Sequence, residues 1–178
     1  GGLSYRLAQV SQLGQDDSFG LLSLPAEFEW NPVDDLLNPT RGGRLKVQAE
    51  PFYDTWGSNI TFLKSYAKYS HYVSLTEDGD WVLAGQLGLG AITGAPLMSL
   101  PADERFYGGG GGSIRGYPYQ SVSPLIGNSP IGGRSIMELS FELRARITEN
   151  IGVVAFLDGG SAFASQIPDF SEDVLWGA

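Results

Sequence analysis

Cysteine is absent from the 178 residues, which excludes disulfides and thiolate metal sites. There is one histidine, His71, so a multi-histidine metal centre or a histidine-based triad is poorly supplied. Basic residues are scarce, with 11 Lys and Arg against 20 Asp and Glu and a net charge of -9. That balance argues against nucleic-acid binding through a basic face. No run of about 18 apolar residues occurs, so no membrane-spanning helix is expected. No signal peptide is visible. The chain opens on Gly1-Gly2 as though mid-protein, so the lack of a targeting segment says little about location.

Glycine, by contrast, is abundant at 25 residues, and Gly108 to Gly112 are consecutive. Such a run has no strand or helix propensity, but it permits positive φ and close packing. Arg115 follows it, braced by Ile114 and Tyr117. The run sits in an interruption of roughly forty residues, and loops of that length are functional or disordered. The surrounding large apolar side chains favour a loop folded back into a cavity with Arg115 at its tip. A flexible glycine linker stays open on composition alone. A phosphate cradle needs a strand before and a helix after, and no helical pattern follows Tyr119.

The dominant pattern is period two. Apolar and small residues alternate with polar ones over 22–31, 44–52, 59–69, 80–91, 134–147 and 151–163, with a weaker run near 3–10. One set in these runs includes Leu45, Val47, Leu63, Ala67, Leu83, Leu87, Leu139 and Leu143. The opposite set includes Lys46, Lys64, Lys68, Gln86, Ser140 and Glu142. Globular strands average about 5–6 residues, whereas membrane-spanning strands need about 9–11. Trp30, Phe52, Tyr69 and Trp81 near strand ends suit the aromatic girdles of outer-membrane barrels. A soluble β-sandwich also alternates, but charge of both signs on one face suits a wet lumen better than a dry core. The expected fold is all-β: an antiparallel up-and-down transmembrane β-barrel, here a partial barrel of about seven strands with a long folded-in loop.

Within the expected lumen, Glu142 and Asp158 lie on the polar faces of strands joined by a turn near 148–149. This brings two carboxylates together on one face. They repel unless a cation joins them, and a guanidinium can bind both. One reading is an Arg115 clamp between Glu142 and Asp158. The other is a lumen charge network in which the two acids pair with Arg144, Arg146 and Lys68. The residues alone leave both open.

Ser113-Ile114-Arg115-Gly116-Tyr117 resembles the Val/Ile-Arg-Gly-Tyr/Phe motif of the BamA/TamA superfamily of outer-membrane assembly and secretion barrels. Four further segments agree in order. Asn38-Pro39-Thr40-Arg41-Gly42 resembles the family's periplasmic turn. The run from Glu104 to Gly109 resembles the approach to the motif. Ser140 to Arg144 and Phe156 to Gly160 resemble the two following strands. The glycine run before Arg115 and Tyr117-Pro118-Tyr119-Gln120 after it are most similar to the TamA-like branch.

The resemblance implies a sixteen-stranded barrel preceded by POTRA domains, in which acids of the two following strands hold the motif arginine. Carried over, these are Arg115 with Gly116 and Tyr117, and Glu142 and Asp158. Residues 1–178 are then expected to be the central part of a C-terminal barrel domain, with loop 92–131 carrying the motif. The POTRA domains and the first and last strands would be absent. The implied location is the outer membrane of Gram-negative bacteria. The implied function is insertion or secretion of client β-barrel or autotransporter proteins, beside outer-membrane lipid and a periplasm-spanning partner of TamB type. No cofactor, metal, nucleic acid or enzymatic activity is expected. A two-partner secretion transporter, which shares the arginine motif, and a passive channel are the alternatives. A hydrolase would use the paired acids or His71, yet His71 is expected in a connection away from them.

Overall fold

The computed structural model describes residues 4–12, 15–55, 60–171 and 173–178, with backbone alone for 6–12 and 15–19. The strands are β1 (Ser4–Gln12), β2 (Gln15–Ser23), β3 (Ala26–Trp30), β4 (Gly42–Asp54), β5 (Thr61–Ser74) and β6 (Trp81–Thr93). A long connection contains the two-residue strands β7 (Leu125–Ile126) and β8 (Ser129–Pro130). It is followed by β9 (Ser135–Arg146), β10 (Gly152–Phe163) and β11 (Leu175–Gly177). Among the described residues the only helices are single 3₁₀ turns at Leu97–Ser99 and Ala102–Glu104.

One antiparallel sheet runs in the order β1-β2-β4-β5-β6-β9-β10-β11, with β3 also pairing β4. With β2 and β3 taken as one line, consecutive wall strands are sheet neighbours, as an up-and-down barrel wall requires. The expected run at 22–31 is two strands on one line. Ser23 pairs with Phe52 and Ala26 with Ala49, so the register is unbroken. Pro51, opposite Leu24, lacks an amide hydrogen, which removes one rung of the ladder between those pairs. The Leu24 amide still donates to the Pro51 carbonyl there, at 3.3 Å. The run at 59–69 continues to Ser74; its expected start at Asn59 lies outside the described residues. Neither β11 nor the first half of β2 is marked by alternation in the sequence.

The outer face matches the alternation. Trp81, Leu83, Leu87 and Leu89 on β6 are exposed apolar side chains, as are Phe141 and Leu143 on β9. This is the lipid-facing band. Trp30, Tyr69 and Trp81 are exposed too, but Phe52 is not a girdle residue. It is buried on the inner face and stacks on Phe62 with ring centroids 4.6 Å apart.

The inner face is therefore not wet along its whole height. At the loop-bearing end Leu21, Phe52, Phe62, Ile92 and Ile136 form an apolar core with Leu100 and Phe106 of the loop. Beside this core the inner face carries polar pairs: Tyr66 donates to Glu138 at 2.7 Å, and Lys64 pairs with Glu104 of the loop at 3.2 Å. His71 lies within β5, not in a connection, with Nδ1 3.2 Å from the Tyr69 hydroxyl.

Candidate functional site: a loop tip held on the barrel wall

The loop is secured first at its base. Arg105 is buried and donates to the Leu100 carbonyl at 2.7 and 3.1 Å and to the Ile131 carbonyl at 2.8 Å. It thus ties the incoming and outgoing limbs together. Phe106 and Gly133 bridge those limbs, as do Gly108 and Val122 further in. Beyond this point the chain makes a compact tip that ends on the wall.

Gly109 has φ +98°, and a Cβ there would lie 2.4 Å from the Pro118 carbonyl oxygen. At Gly111 and Gly112 an added Cβ would meet nothing within 4 Å. The five glycines are therefore unequal. Gly109→Ala is expected to destabilise the tip by about 1–3 kcal/mol through backbone strain. Gly111→Ala is expected to be neutral, or stabilising by up to about 1 kcal/mol. Thermal unfolding of the two variants checks the contrast; equal shifts would contradict it.

Arg115 sits at the tip, with its guanidinium on the β9–β10 hairpin. In that hairpin Glu142 is opposite Phe156 and Ser140 is opposite Asp158, so the four side chains form a square on the inner face. Arg115 Nε donates to Asp158 Oδ2 at 2.6 Å and Nη2 to Asp158 Oδ1 at 2.7 Å. Nη1 donates to Glu142 Oε1 at 2.8 Å, and Nη2 also reaches Ser140 Oγ at 3.0 Å. The backbone N–H of Arg115 adds a bond to Asp158 Oδ2 at 3.0 Å. Ser140 Oγ donates to Asp158 Oδ1 at 2.7 Å. The guanidinium carbon lies 3.8 Å from the centre of the Phe156 ring, a cation–π contact. Asp158 is fully buried, and the planar fork satisfies both its oxygens as an ammonium could not.

Of the lumen charge network expected from the sequence, one pair is present beside the Arg115 contacts. Arg115 joins the two acids, and Arg144 also pairs with Glu142 at 2.8 Å. Arg146 instead pairs with Asp80 in the 75–80 turn. Ser140 and Phe156 are participants to which neither composition nor motif assigns a role. Gly177 is another. It pairs with Asp158 across β10 and β11, and a Cβ there would fall 1.9 Å from the Arg115 carbonyl oxygen. Gly116 takes φ +89°, and the Tyr117 hydroxyl donates to the Trp176 carbonyl at 3.2 Å. The tip thus rests on three strands.

Asn38, Pro39, Thr40, Arg41 and Gly42 lie at the end of the sheet opposite the base of the loop, where Asn38 and Thr40 share a hollow with Arg144, the second partner of Glu142. The organiser of this turn is Asp34, which the motif does not include. Its Oδ1 accepts from the amides of Thr40 at 2.9 Å and Arg41 at 3.0 Å, and its Oδ2 accepts from the Thr40 hydroxyl at 2.5 Å. Asp35 Oδ1 accepts from the amides of Leu37 and Asn38. The Thr40 hydroxyl first, and then the amides, hold the Asp34 carboxyl well below the usual carboxylate range. A depressed pKa means that the tie persists above the ordinary carboxylate range and is lost only as pH falls through the lowered value. In Asp34→Ala the Thr40 and Arg41 amides are expected to exchange with solvent faster than in the parent. Unchanged protection in an exchange experiment would contradict the assignment.

Residues 3–174 match the family model described as the Omp85 superfamily domain. The chain is 27% identical over 168 residues to the outer membrane protein assembly factor BamA of Neisseria meningitidis serogroup B, covering 88% of this chain and 21% of that protein. It is 30% identical over 142 residues to the same-named protein of Nitratidesulfovibrio vulgaris, covering 78% and 18%. The crystal structure of BamA from Haemophilus ducreyi lacking POTRA domains 1-3 superposes with a TM-score of 0.68 at 21% identity, over 83% of this chain and 31% of that one. The chain spans about a fifth of the length of the curated relatives it matches. A family match along nearly the whole chain, on an antiparallel wall of long strands with an apolar outer face, identifies it as a member of the Omp85 superfamily, whose barrels lie in the bacterial outer membrane.

Proposed function

We propose that the chain is the central wall of an outer-membrane assembly barrel, and that Arg115, Glu142 and Asp158 clamp the long loop inside it. The supporting observation is the fork that Arg115 places on both acids and Ser140. The clamp fixes the loop tip across β9, β10 and β11, and this stiffens the wall near the site of client handling. The first and last strands of the whole barrel, which residues 1–178 do not contain, would template client strands by β-augmentation. POTRA domains would precede the barrel. The acids serve to hold the loop, and the role is not catalytic.

The named relatives favour general outer-membrane protein assembly. The TamA-like reading, with autotransporter clients and a periplasm-spanning partner of TamB type, rests on the glycine run and on Tyr117 to Gln120. Depletion of the full-length protein separates these readings. General assembly predicts loss of many folded, heat-modifiable outer-membrane barrels. Loss confined to autotransporters selects the TamA-like branch. Intact levels of all barrels, with solute leakage restored by the protein in vesicles, would replace both readings with a passive channel.

A further inference from the structure

Beyond Phe163 the chain does not simply leave the sheet. Residues 164–171 fold back across its outer face. Ser135 Oγ donates to the Ser165 carbonyl at 2.9 Å, and Phe170 meets the Phe163 ring edge-on at 6.3 Å. The strap buries Phe163, which belongs to the outward-facing set of β10. Its next residues, Ile167 and Pro168, roof a groove of about 280 Å³. The floor is a row across three strands, Val47, Ala67 and Leu89, with Ala91 beside it. Larger side chains, Leu45, Tyr69 and Leu87, form the next outward row. The depression is thus walled on two sides and is almost wholly apolar.

The groove is continuous with the lipid-facing band, where the surrounding medium is hydrocarbon. Its upper end has a different chemistry. Arg134, just before β9, reaches Gln166 of the strap through Nη2 at 3.3 Å. Its Nε is buried with no hydrogen-bond partner among the described residues. An unpaired buried donor is costly, and a guanidinium is well suited to phosphate. Arg134 lies at the loop-bearing end of the sheet and meets the groove through Gln166, which is part of its lining.

We propose that this strap and groove form a seat for one anionic, phosphate-bearing membrane lipid, with an acyl chain under Ile167 and Pro168 and the phosphate on Arg134. The bound lipid would complete the outer surface of the wall at a place where small side chains leave it hollow. It is a resident ligand, distinct from any client.

Native mass spectrometry of the full-length barrel tests this after delipidation and exposure to equal amounts of phosphatidylglycerol and phosphatidylcholine. The parent is expected to retain phosphatidylglycerol with a preference of about tenfold, the scale of one charge-assisted hydrogen bond. Arg134→Gln should bring the two lipids to near-equal retention. Ala67→Trp, which fills the groove, should abolish retention of the seated lipid. Heat-modifiable gel mobility reports whether each barrel is folded, and Ala91→Phe fills the same groove if Ala67→Trp does not fold. A folded groove-filled variant that keeps lipid as the parent does would overturn the proposal. So would an Arg134→Gln variant that keeps the preference, or a parent that binds no lipid, whether its groove is bare or covered by another protein.

Discussion

Arg115→Ala is expected to expose the loop around residues 104–120 to protease in the full-length barrel and to destabilise it by about 3–5 kcal/mol, the usual cost of removing one partner from a buried ion pair. Asp158 decides the size of the effect. It is fully buried, and two of the bonds to its carboxylate come from the Arg115 side chain. Glu142 is less dependent, because Arg144 remains beside it. Asp158→Ala is therefore expected to cost more than Glu142→Ala. Arg115→Lys should rescue only part of the loss, since an ammonium cannot span Asp158, Glu142 and Ser140 at once. The Arg115→Ala, Asp158→Ala double variant should cost less than the sum of its singles, because the two share one network. A loop as protected in Arg115→Ala as in the parent would refute the clamp.

Leu87→Arg is expected to cost about 2–4 kcal/mol in a folding titration into bilayers, the range for a cation near the midplane of a barrel's lipid face. Leu87 is exposed on the outer face of β6, in the middle of the strand. The matched control is Gln48→Arg on the inner face of β4, where Gln48 already donates to Glu27 at 2.8 Å and water and acidic groups are at hand. Its cost should be small. Alternation alone would suggest Ser140 as the control, but its hydroxyl bonds both Arg115 and Asp158, so a charge there would disrupt the site. Equal costs at Leu87 and Gln48 would contradict the assignment of faces.

The strands that can be read from sequence are those in which period two is uninterrupted. The 134–147 and 151–163 runs correspond to β9 and β10 to within a residue or two at each end. Where side chains do not alternate, the pattern is silent. Gln15-Asp16-Asp17-Ser18 is polar throughout and still forms the start of β2, and three residues of β11 are too few to show a period. Phe52 shows how aromaticity near a strand end misleads when it is weighed above parity; it shares its face with Gln48 and Glu50, which points inward. In the site, charge makes Arg115, Glu142 and Asp158 nameable. Ser140, Phe156 and Gly177 carry no such mark. Their places follow from the register of β9, β10 and β11, which residue types do not encode.

Pro51 stands opposite Leu24 and Pro25 opposite Glu50 in an otherwise continuous ladder, and this has a mechanical consequence. To one side of them β4, β5, β6, β9 and β10 are paired over nearly their full lengths. To the other, the β1–β2 hairpin is fastened to β4 by Leu21, Leu22, Ser23 and the Leu24 amide, with a rivet where Gly20 meets Asp54 and Thr55. The wall resembles a broad, fully paired plate and a narrow leaf joined by a short hem, which ends where the Pro51 amide hydrogen is missing. Bending stress on the sheet would concentrate at that short hem rather than in the plate that carries the loop tip.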